Sequence, residues 1–557
     1  MPDKEFNLLK EPWIPVMLPD GQTKEVSLLE AFEDAPAFLR LAGELPTQDV
    51  ALLRLMLAVL HAVFGRYGLN GAYAPLYEGG GLHAEDALDR WRALWEHGAF
   101  PMKVIERYLL HFEDRFYLFH PERPFYQIPV LDKATEYTAA KLNGELSESS
   151  NKIRLFPQRT GSGKTGLDYG EAARWLLYVN AFDDTSAKSP SRGLPDKLPS
   201  PGAGWLGQLG LVTAVGGSLF ETLMLNLVLL KDGRDELWGP ELPVWEWEAV
   251  KTAERTPIPM PDNPSGLMTL QSRRLLLRRE GDKVIGYGLL GGDFFPKANA
   301  LNEQMTVWRN AAKREGDTPE YAPRRHDSAR QLWRDFSALA VQTGSSHRPG
   351  IVNWLAALAE KKLIPGSLVC IQIAAVQYGD KDFFVSDVFS DSVSFNAELL
   401  NDFDQSWTGR ILDAIDTAKL LASQAGWLAQ NIAKAAGNTD EKSYQGVKNA
   451  AMERAYFLLD IPFRQWLQRI DPKAQKEEVS KSGASKDWWE TAQGIVRGLG
   501  RELVAQAGAN AFVGREIMEN KKPQRYTAPE AYNRFLYFTS TVDALKATSK
   551  GGKKNGK

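Results

Sequence analysis

The sequence holds one cysteine, Cys370, in 557 residues. An internal disulfide is therefore impossible, a thiolate-rich zinc site lacks its ligands, and a reducing, cytoplasmic setting is expected. Histidine is also scarce: the chain has His61, His83, His97, His111, His120, His326 and His347. None of them forms the H-E-x-x-H pair that puts two imidazoles on one helix face. No sign of charge dominates, since 67 Lys and Arg against 70 Asp and Glu leave a net charge of -3. Any contact with nucleic acid must then be local. Long apolar runs are missing as well. The richest windows, Ala51–Phe64 and Leu219–Leu230, are broken by Arg54 and His61 and by Glu221 and Asn226, so no membrane span is expected. The opening MPDKEFNLLKEP has no apolar stretch of the secretory kind.

What is present is the composition of a globular chain, with 43% hydrophobic and 25% charged residues. Trp13–Met17 reads as a strand, and Leu52, Leu53, Met56, Val59, Leu60 and Val63 make one broad helical face on which His61 is expected as a satisfied core histidine. The fold class is α+β. A polar stretch from Leu142 to Gly166 reads as a surface loop. Between Ala181 and Gly210 the composition shifts to Ser, Pro, Gly and Lys, a long loop of the kind that binds ligands. From Asn396 the pattern becomes helical: Leu400, Phe403, Trp407, Ile411 and Ile415 keep the period, and further faces run over Tyr444–Ile470, Trp488–Val504 and Tyr532–Leu545. A mixed α/β domain over 1–395, a four-helix bundle over 396–545 and a basic disordered tail over 546–557 are the expected organisation.

Motifs for chemistry are thin. Arg159–Thr165, RTGSGKT, matches the end of a phosphate loop, but Gln158 stands where its first glycine is required. The stretch EYAPRRHDSARQLWRDF carries Arg324, Arg325, Arg330 and Arg334 with Tyr321 and Trp333, either a solvated helix face or a phosphate-contacting surface. Asp387 and Asp391 lack histidine or metal partners, and Cys370 in SLVCIQIAAV reads as a buried, inert thiol.

Several segments taken together resemble one family. NLLKEPWIPV at Asn7–Val16, RPFYQIP at Arg123–Pro129, EAARWLL at Glu171–Leu177, GWLGQLGLV at Gly204–Val212, LFETLMLNLV at Leu219–Val228, SRRLLL at Ser272–Leu277 and LWRDFSAL at Leu332–Leu339 are similar to the CasA family, the large subunit of type I-E Cascade. The resemblance implies a large mixed α/β domain followed by a four-helix bundle, with chemistry delegated and no cofactor; the cysteine zinc ligands of some relatives are missing here, so no metal is expected. It implies membership of a crRNA-guided surveillance complex that inspects double-stranded DNA for a protospacer-adjacent motif, opens the duplex for R-loop formation and recruits a separate helicase-nuclease. Protein would read the short motif while base pairing reads the rest.

The resemblance also implies a contact set. Phe156 and Gln158 match the aromatic start of the family's DNA-contacting loop, to which Arg159 and Lys164 add cations. The glycine-rich loop that enters the minor groove falls within Ala181–Gly210, at Gly202, Gly204 and Gly207 or at Gly193, because glycine lets backbone approach base edges. The groove-reading lysine is Lys283 or Lys297. The strand-separating turn falls on Lys381, Asp382 and Phe383, where an aromatic wedge, Phe383 or Phe384, is expected to insert and an aspartate facing DNA to be repelled. A plain hairpin turn with these rings in the core, a scaffold without DNA contact, and an NTPase on RTGSGKT are the alternatives.

Overall fold

The computed structural model describes residues 4–77, 79–131, 134–144, 159–185, 200–312, 318, 320–340, 347–364, 368–401, 406–438, 440–473, 475, 477–519 and 522–551. Two compact units divide the chain: Met1–Leu332, Ala338–Pro365 and Val369–Ser392 form the first, Trp333–Ser337, Gly366–Leu368 and Val393–Lys557 the second. The first mixes helices with small sheets and the second is mainly helical, the α+β class read from periodicity.

The first unit is built around the helix Pro46–Phe64. Proline at its first turn lacks only an N–H that would be unpaired anyway, and the Ala, Leu and Met that follow favour helix. This helix is long and apolar enough to cross a membrane, but the rest of the unit buries it almost completely. Its charged interruption, Arg54, is 2% exposed and donates to both carboxylate oxygens of Glu303 at 2.7 and 3.0 Å. Trp205 Nε1 donates to the same carboxylate at 2.9 Å. His61 lies in the core as expected, yet neither ring nitrogen has a hydrogen-bond partner, so it is not the satisfied histidine of the sequence reading. Burial pushes its pKa down to about 3 and that of Glu241, 3.9 Å away, up to about 7. Burial thus favours the neutral form of each.

Two sheets carry the candidate residues. Arg273–Glu280 pairs antiparallel with Lys283–Gly291, which also pairs with Thr135–Thr138. Val212–Val215 pairs antiparallel with Leu368–Tyr378, the middle strand of a sheet completed by Val385–Asn396. Strand alternation turns Val369, Ile371 and Ile373 inward and leaves Cys370 half-buried, so the apolar run around it overstates the burial of its thiol.

In the second unit the first three expected helices are Ser406–Ala436, Glu441–Gln468 and Glu478–Ala505. The fourth is split into Ala528–Phe538 and Val542–Gly551. Gln493 Nε2 donates to the carbonyls of Thr539 and Ser540 at 2.7 and 3.1 Å, and Arg497 donates to that of Leu536 at 3.0 Å. Thr541 Oγ1 accepts from the Ala544 N–H. Side chains thus satisfy the groups that a helix end leaves open. A hairpin of Arg515–Glu519 with Lys522–Tyr526 precedes it, unforeseen in the sequence. Trp333 belongs to the aromatic core here, stacked on Phe463 at 4.3 Å with its indole N–H on Asp460, not to a cationic surface. The helix Val542–Gly551 takes in Lys546 and Lys550, which composition assigns to a disordered tail; 552–557 lie outside the described residues.

Candidate nucleic-acid interface

The strands Leu368–Tyr378 and Val385–Asn396 are joined by the turn expected to open a duplex. Gly379 starts it because the ring of Phe384 folds over that position: a Cβ there would sit 2.1 Å from Phe384 Cζ. The Gly379 N–H donates to the Phe384 carbonyl at 2.8 Å. Lys381 and Asp382 then adopt φ of +51° and +60°, a left-handed conformation that costs a non-glycine residue about 1–2 kcal/mol. Compensating bonds converge on Asp382. Its N–H donates to the Gly379 carbonyl, and its own carbonyl accepts from the Thr185 N–H and hydroxyl at 3.0 and 3.2 Å. Both terminal nitrogens of Arg325 donate to its carboxylate at 2.9 Å. Arg325 lies 4.9 Å over the Tyr378 ring, whose hydroxyl donates to the Phe182 carbonyl at 2.7 Å. Asp382 is therefore not the bare anion that would repel DNA; its charge is matched at home. Phe383 is left 39% exposed and Lys381 exposed, which removes the reading of Phe383 as a core ring, whereas Phe384 is half-buried.

The glycine segment abuts this turn. Gly202 has φ of +65° and open space where a side chain would go, and its carbonyl accepts from Arg273 at 2.6 Å. Gly204 and Gly207 are different. Added Cβ atoms would lie 2.4 Å from the Ala181 carbonyl oxygen and 2.0 Å from the Tyr378 hydroxyl, so the missing side chains are used by packing and leave nothing for a groove. Arg273, itself buried, ties the two ends of the loop by donating to the Asp183 carboxylate at 2.7 Å and to the Asp184 carbonyl at 3.0 Å. Burial pushes the Asp183 carboxyl up despite Arg273. Gly193 lies outside the described residues, as do Phe156 and Gln158.

The other candidate cations are Arg159, Lys164, Lys283 and Lys297. Arg159 is not available to phosphate as it stands, because it pairs with Glu44 and Glu171. Lys164, half-buried on the four-residue helix Ser162–Thr165, has no ion-pair partner among the described residues. That helix stops at Gly166, and Leu167 pairs with Val284, so RTGSGKT does not open the long helix a phosphate loop needs. Gly166 meets the Lys283 side chain, and Lys283 pairs with Asp168, whose hydrogen bond raises its pKa. Lys297 is exposed, with no ion pair among the described residues.

Around Arg325 the sequence expectation of a helix fails. Tyr321–Pro323 is a strand paired with Trp308–Asn310, and in the loop that follows His326 Nε2 lies 3.0 Å from the Leu211 carbonyl. Asp391 accepts from the Leu332 N–H at 2.7 Å, a structural role. Sequence reasoning missed the parts played by Thr185, Tyr378 and Arg273, and for Arg325 weighed only a solvated helix face against a phosphate contact; no spacing rule links Arg325 to an aspartate 57 residues away.

Residues 7–499 match the profile of the family described as CRISPR-associated protein Cse1. The chain belongs to that family. A Cse1-family relative, CRISPR-associated protein CasA/Cse1 of Thermus thermophilus, is 29% identical over 93% of this chain and 98% of its own. The crystal structure of Thermobifida fusca Cse1 matches with a TM-score of 0.80 at 30% identity, covering 98% of each chain. A chain of a CRISPR RNA-guided surveillance complex, at 15% identity over 96% of this chain and 99% of its own, shares the fold with a TM-score of 0.66.

Proposed function

We propose that this Cse1-family chain is the duplex-reading subunit of a crRNA-guided surveillance complex. It recognises a protospacer-adjacent motif, starts strand separation and recruits a helicase-nuclease that supplies the cutting, so the chain itself binds and opens rather than catalyses. Its partners are the crRNA-bearing Cascade subunits, double-stranded DNA and the helicase-nuclease, in the cytoplasm. The observation that carries this reading is the anchoring of the 379–384 turn, with its exposed aromatic tip, on Thr185, at one end of the segment whose other end, Gly202, is tied back to Asp183 and Asp184 through Arg273. Such an arrangement suits a protein that approaches base edges and unstacks a step.

The test is binding of a guide-loaded complex, with and without this chain, to duplexes that differ only in the base pairs beside the target. Discrimination and opening should require the chain. Equal discrimination without it would leave a scaffold role in place of motif reading.

A further inference from the structure

The turn that carries Phe383 contains two successive residues in left-handed conformation, a conformation that suits a two-stranded hairpin but is filled by preference with Asn, Asp and Gly. Lys381 is a poor residue for it, so contacts from outside the hairpin add to what the strands supply. Among the described residues Arg325 alone grips the Asp382 side chain, through two parallel charge-assisted bonds at 2.9 Å. Such a fork fixes direction as well as distance. Arg325 is itself aimed by the Tyr378 ring beneath it. Phe384, on the far side of the tip, is folded onto Gly379, so the same clamp that seats Asp382 leaves Phe383 as the ring facing solvent.

We propose that Arg325 is a positioning residue: by clamping Asp382 it locks the left-handed turn and presents Phe383 outward as the side chain that enters the opened duplex. This rests on the reading of the turn as the strand-separating element. Arg325 then acts through Asp382 and not by touching phosphate, which sets it apart from the arginines expected of a DNA-binding surface.

Two duplexes separate the roles in the guide-loaded complex. One carries motif and target with 2-aminopurine at the first pairs to open; the other carries the motif with no complementarity to the guide, so it binds but does not open. Arg325→Ala should slow opening about tenfold, the loss expected for two charge-assisted hydrogen bonds at a half-exposed site. Affinity for the non-opening duplex should stay within about twofold, because the clamp makes no phosphate contact. Arg325→Lys, which keeps the charge but not the fork, should recover part of the rate. Arg325→Ala combined with Asp382→Asn should open no slower than Arg325→Ala alone, since both remove one interaction. If Arg325→Ala does not assemble, Arg325→Lys and Asp382→Asn carry the same comparison.

Equal weakening of both duplexes, with the salt slope reduced by about 1, would make Arg325 a phosphate contact and overturn the proposal. Phe383→Ala distinguishes this failure from that of the turn itself. Slow opening in Phe383→Ala with a normal rate in Arg325→Ala removes the clamp and keeps the wedge. A normal rate in Phe383→Ala removes both.

Discussion

Glycines of one short segment do opposite jobs, and substitution separates them. At Gly207 a methyl group meets the Tyr378 hydroxyl at 2.0 Å, which is relieved only by displacing the ring and its hydrogen bond to the Phe182 carbonyl. Gly207→Ala should cost about 1–3 kcal/mol as an overpacked site, read as a lowered urea midpoint. At Gly202 nothing is in the way and only the left-handed backbone resists, so Gly202→Ala should cost about 1–2 kcal/mol. A smaller loss at Gly207 than at Gly202 would contradict the packing against Tyr378. His61 gives a residue-scale test with pH. Its folded pKa of about 3 lies below the ordinary 6.5, so the unfolded chain takes up a proton first as pH falls. Its share of stability is complete above about 6.5 and is lost toward pH 3. Glu241 acts in the opposite sense, losing stability as pH rises from its ordinary 4.5 to about 7. In His61→Leu the fall in urea midpoint between pH 6.5 and 3 should be shallower than in the unaltered chain; an unchanged slope would show that His61 does not cause it.

At the scale of elements, the Pro46–Phe64 helix is held to its surroundings by one buried ion pair as well as by apolar contact. Removing the cation strands a carboxylate 1% exposed. Arg54→Met should therefore destabilise by about 3–5 kcal/mol, measured by chemical denaturation. The double change Arg54→Met with Glu303→Gln keeps an acceptor for the Trp205 indole and no charge to strand, so it should be less damaging than the single one. Additive losses would rule out the pairing as the cause. In the second unit the break at Thr539–Thr541 depends on groups reached from the Glu478–Ala505 helix, which is why periodicity alone joins Tyr532 to Leu545 in one helix. Period reports which face is buried, but it does not register where a neighbour ends the ladder.

For the whole molecule, a net charge of -3 leaves the proposed DNA contact to local cations, and the cations are not equivalent. Lys164 has no ion pair among the described residues, whereas Arg159 is committed to Glu44 and Glu171. Lys164→Ala should weaken binding of the assembled complex equally across motif sequences and lower the slope of log affinity against log salt by about 1. Arg159→Ala should act mainly by loosening the segment that Glu44 and Glu171 hold, seen as lower stability of the chain before any change in salt slope. The sequence by itself determined the α+β class, the core helix, the long helices after Asn396 and the family, because apolar period and motif order are local properties of the chain. The place of the turn at Lys381–Phe383 was legible only through the family resemblance, counted back from DSVSF. Only tertiary structure decided that Gly204 and Gly207 are packing residues, that Arg159 is already paired and that Asp382 is neutralised by Arg325. Each of these depends on which distant segment arrives against the residue, and charge pairing and steric room act through space rather than along the chain.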